Sequence, residues 1–399
     1  CVNIYQGVRG CSREMGLCCP GFAKPPDALL PSGVVLVEQA DAPACVQTRP
    51  AARSVNSRKQ GKATAAERAA EALTLRLLSS LKADGERAAL PVLAHAERRP
   101  SGRRGLSRAA LRGLRTFFEQ HGALDKVMGD VCKAPGLAVS VCELTKSTGL
   151  SLAESLVLAA EAAGEDERSL VGQATVSEAT SFFSYSWTGT KLRDMLDAVE
   201  RALSNLEADG RARFVWIDMF CASQPLLAGL FRDPAITKES DPEGYKARKE
   251  DTDRIFDDAM EAIDELLLYC SPLTGEWEAP PHAYLLAERG TPPARWTRRG
   301  PGAMTRAWCM FEMVKALAKG ARLHVVLAPA DVDGFEELLT RRFDEIAGII
   351  AGLDARDAQI SKTEDREYIL GQVAELDGGL GAVTASVCTA LRGWLAAEG

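Results

Sequence analysis

Short apolar segments alternate with helical periodicity between residues 181 and 327, and this alternation constrains the fold more than any other feature. Four segments predict strands, and they are Ser181–Trp187, Arg213–Asp218, Leu266–Cys270 and Arg322–Leu327. The stretches between them place apolar residues at three- and four-residue spacing, which favours helices. Strands that are apolar at successive positions are typical of a sheet buried on both faces. The sequence therefore predicts an α/β fold with a parallel sheet and helices on both faces.

The remainder of the chain divides by composition. Residues 1–104 are rich in Pro, Gly, Arg and Ala, so we expect a poorly ordered basic leader that contains one helix, at residues 64–82. Residues 105–172 show helical spacing and predict a helical extension. Residues 173–353 would form the α/β domain, and residues 354–399 a helical tail.

Two polar segments interrupt the predicted α/β domain, at residues 225–253 and 273–302. Their Pro, Gly and charged residues indicate insertions or mobile loops. A fifth parallel strand is weakly defined, and residues 346–353 are its candidate.

Charge and cysteine usage exclude several classes of protein. Residues 1–115 hold 19 Lys+Arg against 9 Asp+Glu, whereas the whole chain has a net charge of −7. The basic part lacks interleaved aromatic residues, so nucleic-acid binding is not predicted. No run reaches the roughly 18 consecutive apolar residues of a membrane span. Most of the 11 Cys lie singly in apolar segments, which is typical of reduced thiols and predicts an intracellular, cytoplasmic location.

Ligands of open parallel sheets bind beyond the carboxyl ends of the strands. The sequence places Trp187 after the first strand, Asp218 at the end of the second and Ser271 after the third. In the following predicted helix, Trp308 and Glu312 lie one turn apart and share a face. An aromatic ring beside a carboxylate at the rim of a sheet predicts a nucleoside site.

Each candidate also has a purely structural interpretation. Glu312 could pair with Lys315 on an exposed helix face, and Trp308 could belong to the core. Asp218 could cap the turn that follows it, and Ser271 could simply end its strand. The sequence leaves these alternatives open. The four His are far apart and lack metal-ligand spacing, so neither a metal nor a resident cofactor is expected.

The strand segments and the helix together resemble a Toll/interleukin-1-receptor (TIR) domain. SFFSYSW is similar to the first TIR strand, FVWIDMF to the second and LLLYCSP to the third, while AWCMFEM resembles the W-C-x-x-E-L helix of that family. The resemblance extends from residue 182 to residue 327 and is strongest with a divergent TIR-like group of single-celled eukaryotes. That group shares the helical lead-in, the W-I-D-x-F strand and a final helix like LRGWL. The resemblance implies a flavodoxin-like sheet.

The resemblance also implies a function. TIR domains that cleave NAD carry a catalytic Glu in this helix, and the motif places that role on Glu312, with Trp308 at the aromatic position one turn earlier. NAD would then be a substrate, contacted by Trp308, Trp187, Asp218 and Ser271. A single carboxylate near the ribose can stabilise the positive charge that develops when nicotinamide leaves.

Two other functions stay open. The domain could be a catalytically silent module that acts by self-association, as many TIR domains do. It could also be a scaffold whose two insertions bind a protein partner. A homo-oligomer formed through the TIR-like domain and a protein partner are therefore the expected partners.

Overall fold

A six-stranded sheet forms the centre of the computed structural model, which describes residues 63–87, 102–133, 137, 139–224, 227, 240–279, 282–290, 296–361, 363 and 365–398. The strands of these residues are β1 (Arg104–Ser107), β2 (Val176–Glu178), β3 (Ser181–Ser184), β4 (Phe214–Ile217), β5 (Glu265–Tyr269), β6 (Glu276–Ala279), β7 (Ala283–Tyr284), β8 (Trp296–Arg299), β9 (Arg322–Val326) and β10 (Gln359–Ile360). The central sheet has the order β2-β1-β4-β3-β5-β9.

Helices flank this sheet. In chain order they are α1 (Ala65–Arg87), α2 (Arg108–Gln120), α3 (Met128–Lys133), α4 (Val141–Thr145), α5 (Leu152–Ala163), α6 (Glu165–Ala174), α7 (Leu192–Leu206), α8 (Asp218–Cys221), α9 (Pro242–Glu261), α10 (Ala307–Ala318), α11 (Pro329–Asp333), α12 (Phe335–Arg341), α13 (Phe343–Ala351), α14 (Asp365–Ala374) and α15 (Gly379–Glu398). Both α7 and α10 contact the central strands.

The parallel arrangement predicted for the four central strands is confirmed. β3 pairs in parallel with β4 and β5, and β5 pairs in parallel with β9. Every residue of β3, β4 and β5 is buried, which explains why these segments are mostly apolar on both faces. The chain passes from β3 to β4 on one side and then returns to β5 on the other side of β3. The loops that leave β3 and β5 therefore diverge, and a crevice opens where they separate.

The predicted helical extension, residues 105–172, contains α2 to α6 as expected, but its first residues belong to β1 and therefore to the central sheet. β1 pairs antiparallel with β4 and with β2, so the sheet is parallel only among β4, β3, β5 and β9. Leu106 lies opposite both Val215 and Val176 and is fully buried. Burial of this one apolar residue ties the extension to the α/β core.

One helix of the predicted leader, residues 1–104, packs on the fold. The helix predicted at residues 64–82 is confirmed as α1. In its capping box the backbone N–H of Thr64 donates to the side chain of Glu67 at 2.6 Å, and the backbone N–H of Glu67 donates to the Thr64 hydroxyl at 3.1 Å. α1 packs on α2, and four of its leucines are buried: Leu73, Leu77, Leu78 and Leu81. Glu67 also accepts a 2.5 Å hydrogen bond from Arg108 of α2. Residues 1–62 and 88–101 of the predicted leader lie outside the described residues.

The two predicted insertions contain regular structure. Residues 242–253 of the first belong to α9, whose N-cap Asp241 accepts a 3.0 Å hydrogen bond from the backbone N–H of Gly244 and precedes Pro242. In the second insertion, β6 and β8 form an antiparallel pair. Residues 225–226, 228–239, 280–281 and 291–295 lie outside the described residues. The Asp-Pro signal for the start of α9 was present in the sequence.

The candidate fifth strand, residues 346–353, is wrong because this segment is helical. α13 buries Ile346 and Ile350, which are four residues apart and therefore share one helix face. A short apolar run does not by itself distinguish a buried strand from a helix.

The predicted tail forms two helices, α14 and α15, that pack on the domain. β10 pairs with β7, and α15 contacts α10, α13 and β9. By length and composition, Gly379–Ala397 could cross a membrane, and 33% of its most apolar window is buried inside the protein. A single helix of this kind is weak evidence for a membrane span, since a helix that packs on a protein core passes the same test.

Candidate functional site

The side chain of Glu312 lies beside the carboxyl end of β3. Glu312 occupies the second turn of α10, and its Oε2 accepts a 2.6 Å hydrogen bond from the hydroxyl of Ser184, the last residue of β3. Ser184 is 1% exposed, whereas Glu312 is partly buried. The structure therefore presents one carboxyl group at the sheet edge, held by one buried donor.

The environment of Glu312 favours its neutral form. Burial raises the pKa of Glu312 to about 8, the negative charge of Asp218 adds to this rise, and the hydrogen bond from Ser184 opposes it. Near neutral pH the unliganded carboxyl is therefore mostly protonated. A cation bound beside it would favour ionisation, since an opposite charge stabilises the carboxylate.

Asp218 follows β4 directly and accepts three hydrogen bonds. The Tyr185 hydroxyl and the Met219 N–H donate to Oδ1 at 2.7 and 2.6 Å, and the Trp187 indole N–H donates to Oδ2 at 2.7 Å. Burial raises the pKa of Asp218 even though these donors act in the other direction. Asp218 thus ties the loop after β3 to the end of β4. It is also the first residue of α8, whose N-cap position is Ile217, so Asp218 does not cap the turn in the way that the alternative expected.

Trp308 does not point toward these groups. Its indole N–H donates to Asp365 Oδ2 at 2.8 Å, and its ring stacks on Phe256 and Tyr368 with centroid distances of 5.3 and 5.6 Å. Asp365 and Tyr368 belong to α14, so the tail covers the side of α10 on which Trp308 lies.

Lys315 pairs with Asp257 of α9, and Gln372 of α14 accepts a second hydrogen bond from it at 3.4 Å. The alternative in which Glu312 pairs with Lys315 is therefore wrong. Glu312 instead faces the strand end.

A cavity of about 170 Å³ opens where the loops after β3 and β5 diverge. Its lining residues are Ser186, Thr188, Gly189, Thr190, Tyr269, Ser271, Pro272, Gly302 and Ala303. Ser271 is thus the predicted site residue that lines this cavity, and its Oγ accepts a 2.6 Å hydrogen bond from the backbone N–H of Ala328. Among the described residues that line it, hydroxyl groups provide the polar side chains and none is charged. The cavity is smaller than the roughly 300–1,000 Å³ of drug-sized ligand sites.

The structure therefore brings together some predicted residues and separates others. Asp218 acts electrostatically on Glu312 and binds the indole of Trp187. Ser271 lines the cavity, whereas Glu312, Asp218 and Trp187 are not among its lining residues and Trp308 packs against the tail.

Three residues that contact the predicted site residues or the cavity were not predicted from the sequence. Ser184 holds Glu312, Tyr185 holds Asp218, and the His282 ring lies 3.3 Å from the hydroxyl of Thr188 at the cavity. A polar residue at the end of an otherwise apolar strand was the available signal for Ser184. No comparable signal pointed to His282, which reaches Thr188 only through folding.

The parts of the chain that the structure describes contain no group of three or more His, Cys, Asp or Glu that could hold a metal ion. Comparisons with protein-family models, with curated proteins and with solved structures give no match to this chain.

Proposed function

We propose that this is a TIR-like domain that cleaves NAD at the nicotinamide–ribose bond, with Glu312 as the catalytic residue. The strand order supports the fold assignment: in order of appearance, β3, β4, β5 and β9 are arranged as 2-1-3-4, which matches the first four strands of the flavodoxin-like order. The antiparallel pair β1–β2 extends the sheet beyond that arrangement. Ligands of such folds bind where the strand order reverses, which here lies between β3 and β5.

The observation that carries the proposal is the carboxyl group of Glu312 at the sheet edge. Burial raises its pKa to about 8, and perturbed carboxyl groups are concentrated at functional sites. Ser184 supports it from a buried strand end, which is a rigid position. Asp218 contributes a second carboxyl nearby and connects to the aromatic ring of Trp187.

The reaction needs little from the protein. The bond between nicotinamide and ribose breaks, its electron pair goes to the ring nitrogen, and neutral nicotinamide leaves. Water adds to the resulting ribosyl cation and gives ADP-ribose and a proton. The ionised carboxylate of Glu312 stabilises the positive charge as it develops. The positively charged pyridinium ring of bound NAD favours ionisation of Glu312 before the bond breaks.

The size of the cavity limits how the substrate binds. A volume of about 170 Å³ accommodates one ring-sized portion of NAD, so the rest of the dinucleotide lies over the strand ends. The uncharged hydroxyl lining suits a carboxamide or a sugar better than a phosphate. Six described cysteines have free thiols, which is in keeping with action in the cytoplasm.

A catalytically silent module is the second candidate, and the environment of Trp308 favours it. The tail occupies the face of this ring through Asp365 and Tyr368, so the aromatic partner expected for a nucleoside is already covered. Such a module would act by self-association or would bind a protein partner.

NAD consumption by the full chain distinguishes the two candidates. Glu312→Gln keeps an acceptor for Ser184 and removes the charge, so the rate should fall by roughly a few hundred-fold, the usual effect of losing one well-placed electrostatic group. Glu336→Gln, at an exposed position, is the matched control and should leave the rate unchanged. The oligomeric state should be recorded in the same samples. A wild-type chain that leaves NAD intact in every oligomeric state supports the silent module, and equal rates in wild type and Glu312→Gln would contradict the catalytic role.

A further inference from the structure

The contact between Glu312 and the end of β3 suggests a role for a second residue, and this inference rests on the proposed function. We infer that Ser184 is the positioning residue of Glu312: its hydroxyl fixes the carboxyl at the strand end and favours the ionised form that the reaction uses. Ser184 does not touch the substrate, and its effect on the reaction comes through Glu312. Its hydroxyl also interacts with the buried thiol of Cys309, which stays neutral.

Both partners of this contact are held rigidly. Ser184 lies opposite Leu268 in the parallel pairing of β3 with β5 and is almost fully buried. On α10, Cys309 and Met313 flank Glu312 and are 2% and 1% exposed, which fixes the rotation of the helix. The hydroxyl of Ser184 donates to Oε2 of Glu312 at 2.6 Å, and such a donor stabilises the ionised carboxyl more than the neutral one.

Among the groups that act on Glu312, the hydroxyl of Ser184 is the one that favours ionisation of its carboxyl. Asp218, after β4, is the charged group that acts on Glu312, and it disfavours ionisation. Tyr185 and Cys309 are the titratable neighbours, and burial raises the pKa of each, so both stay neutral. On α9 and α14, Asp257 pairs with Lys315 and Asp365 accepts a hydrogen bond from Trp308, so neither is engaged with Glu312. The hydrogen bond from Ser184 lowers the pKa of Glu312.

The same strand offers a matched control. Ser181, three residues before Ser184, is fully buried, and its hydroxyl has no hydrogen-bond partner among the described residues. Ser181→Ala removes a buried hydroxyl from β3 without altering the surroundings of Glu312. Ser184→Ala removes the donor, and Ser184→Thr keeps it.

The test measures the titration of Glu312 in the full chain in two independent ways. Infrared spectroscopy follows the protonated carboxyl band that is lost in Glu312→Gln, and kcat/KM for NAD is measured between about pH 6 and pH 10 because it reports the free enzyme. We expect Ser184→Ala to move both titrations upward by about one unit, which lowers kcat/KM near pH 7 about tenfold and leaves the high-pH plateau in place. Ser184→Thr and Ser181→Ala should match wild type.

The infrared result separates this inference from the proposed function. If no form of the chain consumes NAD but the band still shifts in Ser184→Ala and not in Ser181→Ala, the proposed function fails and the coupling of Ser184 to Glu312 stands. If the band titrates identically in wild type, Ser184→Ala and Ser181→Ala, Ser184 does not control Glu312 and the inference is overturned. A loss of kcat/KM by the same factor at every pH would also contradict it.

Discussion

At the scale of single residues, two carboxyl groups of the sheet illustrate how partners decide ionisation. Burial by itself would raise the pKa of Glu265, but hydrogen bonds and charge from His324 and Arg322 outweigh burial and lower it. Glu312 has a single hydroxyl donor and a second carboxyl nearby, so its pKa rises. Glu265 lies at the start of β5 and Glu312 beside the end of β3. The stabilised carboxylate, Glu265, lies at the opposite edge of the sheet from the candidate site, and the destabilised one, Glu312, lies in the candidate site.

The raised pKa of Glu312 predicts a particular dependence of stability on pH. Between the ordinary value of 4.5 and about 8, the folded protein holds a proton that the unfolded chain has lost. The contribution of Glu312 to the free energy of unfolding therefore decreases as pH rises through this window and is constant above it. Glu312→Gln cannot titrate, so its Tm should increase relative to wild type between about pH 5 and pH 9.

Circular dichroism melts of both proteins across this range give the measurement. The Tm difference at each pH cancels the other titrating groups, provided that they behave alike in both chains. A difference that stays constant with pH would mean that Glu312 ionises normally in the folded protein.

At the scale of elements, α1 shows how a helix from a segment of disordered composition becomes part of the fold. Leu77 and Leu78 are buried, and Glu67 joins α1 to Arg108 of α2. Arg108 also pairs with Glu207 after α7, so one guanidinium connects three parts of the chain. These contacts make α1 an integral element of the structure.

Leu78→Ala is expected to destabilise the whole domain and not α1 alone. Leu78 is fully buried, and such truncations cost about 2–5 kcal/mol through lost burial and the remaining cavity. Ala72→Ser, on the exposed side of the same helix, should change the free energy of unfolding by less than about 0.5 kcal/mol. Urea denaturation followed by tryptophan fluorescence measures both variants. Equal midpoints for Leu78→Ala and wild type would show that α1 is dispensable.

At the scale of the whole molecule, the tail completes the core. β10 adds to β7, and α15 buries Val387 and Leu391 against the domain. Trp394 stacks on Phe335 of α12 with a centroid distance of 5.7 Å. The tail also covers Trp308 on α10, the helix that carries Glu312. The same helix therefore contacts both the tail and the candidate site.

A chain that ends at Leu353 should therefore lose cooperative folding. Truncation there removes β10, α14 and α15 and exposes the apolar surface of α10 that they cover. The control is a chain that ends at Leu395, which keeps the buried residues of α15. Scanning calorimetry should show one transition for the control and none for the shorter chain. A shorter chain that melts at the wild-type temperature would make the tail an independent appendage.

The sequence predicted the features that depend on neighbouring residues along the chain. The short aromatic segment at residues 181–187 and the apolar run at residues 266–270 predicted buried parallel strands, and the Thr64–Glu67 spacing predicted the capped start of α1. The placement of Glu312 and Asp218 near the strand ends followed from the periodicity and from the geometry of parallel sheets.

Tertiary structure alone decided which side chains meet across long separations in sequence. Glu312 meets Ser184, 128 residues earlier in the chain, whereas Trp308 meets Asp365, 57 residues later. Helical spacing puts Trp308 and Glu312 on neighbouring positions of α10, but it does not specify which neighbour each one faces. The same limit applies to β1, because four residues show no periodicity and pair only when β4 is available. Local patterns determine elements, and the burial of their apolar faces against one another determines the site.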